Sequence, residues 1–107
     1  MLKITDTPEF THTVRVQTPV DGGHREDTFK CRFRVVEDDE NDAGFTVDAV
    51  KARLRRIIVS MEDLADENGK PVPYSDEVRD RVLNLPHARI ALLRAYAAAF
   101  AKERAGN

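Results

Sequence analysis

Two runs of alternating residues flank a Gly-Gly pair, and no other feature narrows the folding choices of this chain as far. From Phe10 to Gln17, the set Phe10, His12, Val14 and Val16 alternates with Thr11, Thr13, Arg15 and Gln17. From Thr28 to Val36, the set Phe29, Cys31, Phe33 and Val35 alternates with Lys30, Arg32 and Arg34. A period of two puts each set on its own face of a strand, so both runs read as half-buried strands. Between them, Gly22-Gly23 accepts the positive φ that a turn requires. The simplest join is an antiparallel hairpin over residues 9–36, with a long mobile tip from Thr18 to Asp27. Val14, Val16, Cys31 and Phe33 are then expected to lie buried together on its inner face.

The segments that follow read less sharply. Residues 1–8 form a tail. Residues 37–45 form an acidic linker, whose Glu37–Asp42 run lacks the alternating ligands and the Gly of a calcium loop. Thr46 is placed to cap a helix reaching about Arg56, with Val47, Val50 and Leu54 on its apolar stripe and Arg53, Arg55 and Arg56 on its outer face and end. Ile57, Ile58 and Val59 open a third strand that runs to about Leu64. Asn68-Gly69 signals a tight turn. The prolines of Lys70-Pro71-Val72-Pro73 cannot donate to a ladder, so that piece is an edge strand or an extended arm. Residues 46–73 thus supply a helix, a strand and a turn.

Residues 74–104 are written as a helix pair. Ser75 is an N-cap, Asp76 and Glu77 bring negative charge to the helix start, and Val78, Val82 and Leu85 form the stripe. Pro86 disfavours helix at Leu85 and suits the first turn of a second helix, so the two helices are hinged there. That second helix, expected from Pro86 to about Arg104, is apolar nearly all round. Ile90, Leu93, Ala97 and Phe100 form one stripe, expected to face the core. Leu92, Tyr96 and Ala99 form the next, and Ala88, Ala91, Ala95 and Ala98 line much of the remainder. Ala is the best helix former, which is one reason for such a sequence. The other is that the second face packs on another chain. On that reading Arg89, Leu92, Arg94, Tyr96 and Ala99 are the candidate partner-binding residues. Altogether the pattern is a single α+β domain, in which a small, mainly antiparallel sheet carries about three helices.

Composition closes several routes. The chain has 107 residues, 34% of them charged, with a formal net charge of -2. General nucleic-acid affinity normally needs a net basic surface, so a regulator working through Arg32, Arg34, Arg53, Arg55 and Arg56 is disfavoured. No apolar run approaches a membrane span, and the N-terminus lacks the apolar region of a signal peptide. Cys31 is the single cysteine, which leaves no intrachain disulfide and fits a reducing compartment. His12, His24 and His87 have no partner at metal-ligand spacing. Cys31 lies in an apolar context that suits a small core residue. With no Gly-rich phosphate loop either, neither catalytic residue, metal nor cofactor is expected, and the chain is not expected to be an enzyme.

The order of motifs from Phe10 to Phe100 resembles the phage tail assembly chaperones. The hairpin around Thr18-Pro19-Val20-Asp21-Gly22-Gly23, leading into Thr28–Val36, is similar to their start. Leu64–Ser75 matches their run of acidic turn, Gly, Pro-Val-Pro, aromatic and Ser. Val82–Arg89 and Arg94-Ala95-Tyr96 match their closing helices. At Met61-Glu62-Asp63 the chain departs from relatives, which usually carry Trp, an acid and Gly. The resemblance implies a non-enzymatic cytoplasmic protein of a phage or prophage, absent from the mature particle. It implies binding of the tape measure protein before tail tube protein polymerises around it, with tail tube protein as a further candidate partner; a homo-oligomer is expected from the second apolar face of the last helix. A small adaptor or antitoxin-like binding module would use the same apolar helix for a different partner.

Overall fold

The structure is a computed structural model that describes residues 1–40 and 44–101. It has three strands and three helices in the order β1 (Glu9–Val20), β2 (Gly23–Arg34), α1 (Val47–Ile57), β3 (Ile58–Glu62), α2 (Asp76–Leu83) and α3 (Pro86–Ala98). The strands form one antiparallel sheet in the order β1-β2-β3. The α+β class, the antiparallel sheet and the break at Pro86 follow the sequence expectation.

The hairpin is longer and tighter than its apolar pattern predicts. Pairing continues from Glu9↔Arg34 to Val20↔Gly23, which leaves only Asp21 and Gly22 as the turn. Gly22 takes φ +78°, so the positive-φ residue is the first glycine of the pair. The expected long tip from Thr18 to Asp27 is therefore ladder. Beyond Val16 the apolar alternation stops, but polar cross-strand pairs continue the strands. Thr18 Oγ1 donates to Asp27 Oδ2 at 2.6 Å, Arg25 pairs with Asp27 at 3.1 Å, and Arg15 with Glu26 at 3.8 Å. The hydrogen bonds from Arg25, the larger effect, and from Thr18 hold the Asp27 carboxyl below its ordinary range. Hydrophobic periodicity marks where a strand is buried, and backbone pairing does not need burial.

The core gathers on one face of the hairpin. Val14, Val16, Phe29, Cys31 and Phe33 pack with Leu54 and Ile57 of α1, Ile58 and Met61 of β3, Leu83 of α2, and Ala91 and Leu92 of α3. Ile57 belongs to the last turn of α1 and not to the third strand, which begins one residue later with no intervening loop. Ile58 and Met61 are both buried although they are three positions apart, a spacing that puts residues of a regular strand on opposite faces. A bulge where Phe33 pairs Ile58 and Arg32 pairs Ser60 resets the register and makes this possible. Met61 lies opposite Cys31, and Asp63 beyond it adopts φ +64°, an uncommon conformation that Asp tolerates better than most residues.

Asn68 and Gly69 sit in a small closed turn. Asp66 Oδ1 accepts from the amides of Asn68 and Lys70, Gly69 takes φ +79°, and an isolated bridge joins Ala65 to Pro71. In α2, Leu83 is the fully buried residue, whereas Val78 and Val82 are half-buried and Leu85 is exposed. The expected stripe extrapolated the helix wheel through Leu85, but helical geometry ends at Leu83. Two contacts tie α1 to α2: Arg55 Nε to Asp80 Oδ1 at 3.0 Å and Lys51 Nζ to Asn84 Oδ1 at 2.6 Å. Residues 41–43 of the acidic linker and residues 102–104 of the expected last helix lie outside the described residues.

Candidate functional site

The site candidates converge on α3, so its placement comes first. Leu85 is its N-cap, in extended conformation with no side-chain cap bond, and Pro86 supplies the first turn. The helix starts well without a cap because Pro at this position has no N–H to satisfy. Arg89 Nη1 donates to the Leu83 carbonyl at 2.8 Å, closing the end of α2. The chain thus turns between the two helices on a fixed geometry.

The faces of α3 are rotated from those predicted. Ala88, Ala91 and Leu92 are buried, and Leu92 is 0% exposed. Ala95, Leu93 and Tyr96 are partly buried against the same core. Ile90 is 51% exposed and Phe100 58%, and Ala97 is exposed between them. Ile90, Ala97 and Phe100 of the stripe expected in the core thus face outward while Leu93 stays half-buried against it, and Leu92 of the stripe expected outward is fully in the core. The reason lies in the neighbour. α3 packs directly on β1, and small Ala side chains let a helix approach a strand closely, with one Leu filling the remaining gap. A wheel ranked by side-chain size favours Ile90, Leu93 and Phe100, whereas close packing on a strand favours the Ala side.

Each candidate partner-binding residue can now be located. Leu92 is in the core and is not available to a partner. Tyr96 is half-buried in an aromatic cluster, 6.2 Å from Phe10, 5.6 Å from Phe33 and 5.0 Å from Phe100 by ring centroids. Ala99 is the half-buried C-cap. Arg89 is half-buried and engaged with Leu83. Arg94 is exposed, without an ion-pair partner among the described residues. Of these five residues Arg94 alone is exposed. The exposed apolar residues of this segment instead include Pro86, Ile90, Ala97 and Phe100, of which the last three already stood in the sequence as part of a regular stripe.

Beside this outward stripe lies a groove of about 410 Å³ between α3 and the hairpin. Its lining includes Arg15, Pro19, His24, His87, Ile90 and Arg94, with no acidic residue. A second groove of about 390 Å³ runs along α2, where Leu64, Val72, Val78, Val82 and Leu85 form the apolar part and Asp66, Glu67 and Arg81 the mixed rim. The first has one sign of charge and the second both.

Other chemistry is sparse. Burial pushes the Cys31 thiol up to about 12, so at neutral pH it is a protonated core group and a poor nucleophile. Exposed His12 meets Phe10 edge-on at 5.1 Å. Among the described residues, no group of three or more His, Cys, Asp or Glu is arranged to hold a metal, and no helix is long and apolar enough to cross a membrane. The arginines considered for nucleic-acid contact are largely engaged within the chain. Arg32 bonds Glu9 and Thr11, Arg53 the Gly44 carbonyl, Arg55 Asp80, and Arg56 the Glu37 carbonyl. Compared with protein-family models, curated proteins and solved structures, the chain matches none.

Proposed function

We propose that this protein is a tail assembly chaperone of a phage or prophage. It binds the tape measure protein in the cytoplasm of the bacterial host and keeps it soluble while tail tube protein polymerises around it. It performs no chemistry and is absent from the finished particle. The observation that carries the reading is the exposed apolar set Ile90, Ala97 and Phe100 along α3 and the turn after it, which lies outside the domain's own core cluster. A long helical client left alone exposes similar stripes and aggregates. A small partner offering an apolar helix face covers them by many modest contacts, which incoming tube subunits can replace.

A second point supports the same reading. Where the resembling family carries Trp, an acid and Gly, Met61 fills the core position and Asp63 takes a positive φ suited to Gly. The departure in sequence is thus accommodated without loss of the turn. The test is coexpression with the tape measure protein of the same phage. A soluble complex of the two chains is expected. A tape measure protein that stays wholly in the insoluble fraction would overturn the proposal.

A further inference from the structure

Apolar residues along α3 and the turn after it follow a register. Pro86, Ile90, Leu93 and Ala97 in the helix, and Phe100 in the turn beyond its C-cap, recur at alternating steps of four and three, the a/d spacing of a helix that pairs with another helix. Pro86, Ile90, Ala97 and Phe100 are exposed, and Leu93 is half-buried. With Ile90 and Ala97 taken as a positions, the flanking e positions are His87 and Arg94. Charges on such flanks choose the partner. α3 contains no acidic residue from Pro86 to Ala98, and the lining of the adjoining groove adds His24 and Arg15, the latter already paired with Glu26 at 3.8 Å, so that among the described residues Arg94 carries the unpaired charge.

We infer that this seam docks an amphipathic helix whose apolar heptad stripe is flanked by Asp or Glu. The inference rests on the chaperone reading, whose client it describes, and it specifies charge where that reading specifies only an apolar stripe. Charge complementarity selects this occupant over a second copy of the chain: pairing two α3 helices along the seam would bring Arg94 and His87 of each toward a helix that has only basic residues to offer. Ala97, between Ile90 and Phe100, lets the incoming helix approach closely. At about 1.5 Å per residue the helical part of the seam is roughly 18 Å long, a little under two heptads of a client at a time. The groove beside it, lined by Ile90 and Pro19 together with Arg15 and Arg94, has room for an apolar side chain of the incoming helix.

The test uses the full chain and two synthetic 21-residue probes, each of about three heptads with Leu at a and d. One probe carries Glu at every e and g position and the other Lys. The Glu probe is expected to bind at least tenfold more tightly by fluorescence anisotropy. Arg94→Glu should remove most of that preference, and Ile90→Ser should weaken binding of the Glu probe, with circular dichroism confirming that both variants are folded. Equal binding of the two probes, or a preference unchanged in Arg94→Glu, would overturn the inference. So would a dimer of the chain alone that Ile90→Ser converts to monomer, since the seam would then belong to a second copy. Failure of the broader reading is separable. If the chain solubilises tape measure protein and Arg94→Glu and Ile90→Ser do so equally well, the chaperone reading stands and the seam falls. If the probe preference holds while tape measure protein stays insoluble, the seam stands and the chaperone reading falls.

Discussion

Helices α2 and α3 meet at Pro86 and are specified in opposite ways. Local chemistry writes α2. Ser75 Oγ accepts from the Val78 amide at 3.1 Å, Asp76 and Glu77 fill the first turn, and Arg81 sits in the last. Each of these suits the macrodipole or satisfies an orphan backbone group. α3 has none of them: no side-chain cap, no acid in its first turn and no base in its last. Its identity as a helix comes from Ala content and Pro86, and its orientation comes from β1. A helix marked by its ends can be drawn from sequence with its boundaries. A helix marked by composition can be located but not turned.

The sharpest probe of this contrast is the core that the inner face of α3 helps to close. With its acid range pushed up to about 12 from an ordinary 9.0, Cys31 carries roughly a thousandfold less thiolate than a free thiol at the same pH. Labelling by iodoacetamide should be slow in the native protein and fast in urea. Rapid native labelling would mean that the inner face is not seated on the hairpin. Because the folded thiol holds its proton more tightly, its contribution to stability is complete below the ordinary thiol range and is lost as pH rises toward 12.

Next in size is Leu92→Ala. Leu92 is fully buried, so the substitution should cost about 2–5 kcal/mol by urea denaturation. A cost under 1 kcal/mol would restore the original assignment of faces. At α2 the effect should be smaller and lie at the end of the helix: Ser75→Ala should cost about 1 kcal/mol, the usual value of an N-cap. If it costs nothing, α2 is held by its packing alone and the contrast between the helices disappears. The smallest change in stability is expected at Ile90→Ser, within about 0.5 kcal/mol because the side chain is half exposed and outside the core cluster. A large loss of stability there would show that the outer stripe is structural.

Much of the fold was legible because its signals are local. Val14, Val16, Cys31 and Phe33 were readable as one buried set, since strand geometry leaves only two faces and a turn between them. Thr46 and Ser75 were readable as caps because the acceptor and the amide it satisfies are three residues apart. The boundaries that failed did so for equally definite reasons. The hairpin continues past Val16 on backbone pairing and on Thr18, Arg25 and Asp27, which carry no apolar period. Ile57 looked like strand because β-branched residues run from Ile57 to Val59, yet the core contact of α1 needed one more helical residue.

Of the candidate site, the sequence alone determined that α3 has more apolar surface than one small core requires, that its charges are basic, and that it begins at Pro86. It could not determine which stripe faces inward, because both stripes are apolar and a helix wheel has no preferred direction without a neighbour. Tertiary structure decided that by close packing: β1 takes the Ala-lined side with Leu92, and the larger Ile90 and Phe100 are turned to solvent. The same contact turned Arg89 back to Leu83 and left Arg94 outward, so that the basic edge of the exposed seam exists only once the helix has been laid on the strand.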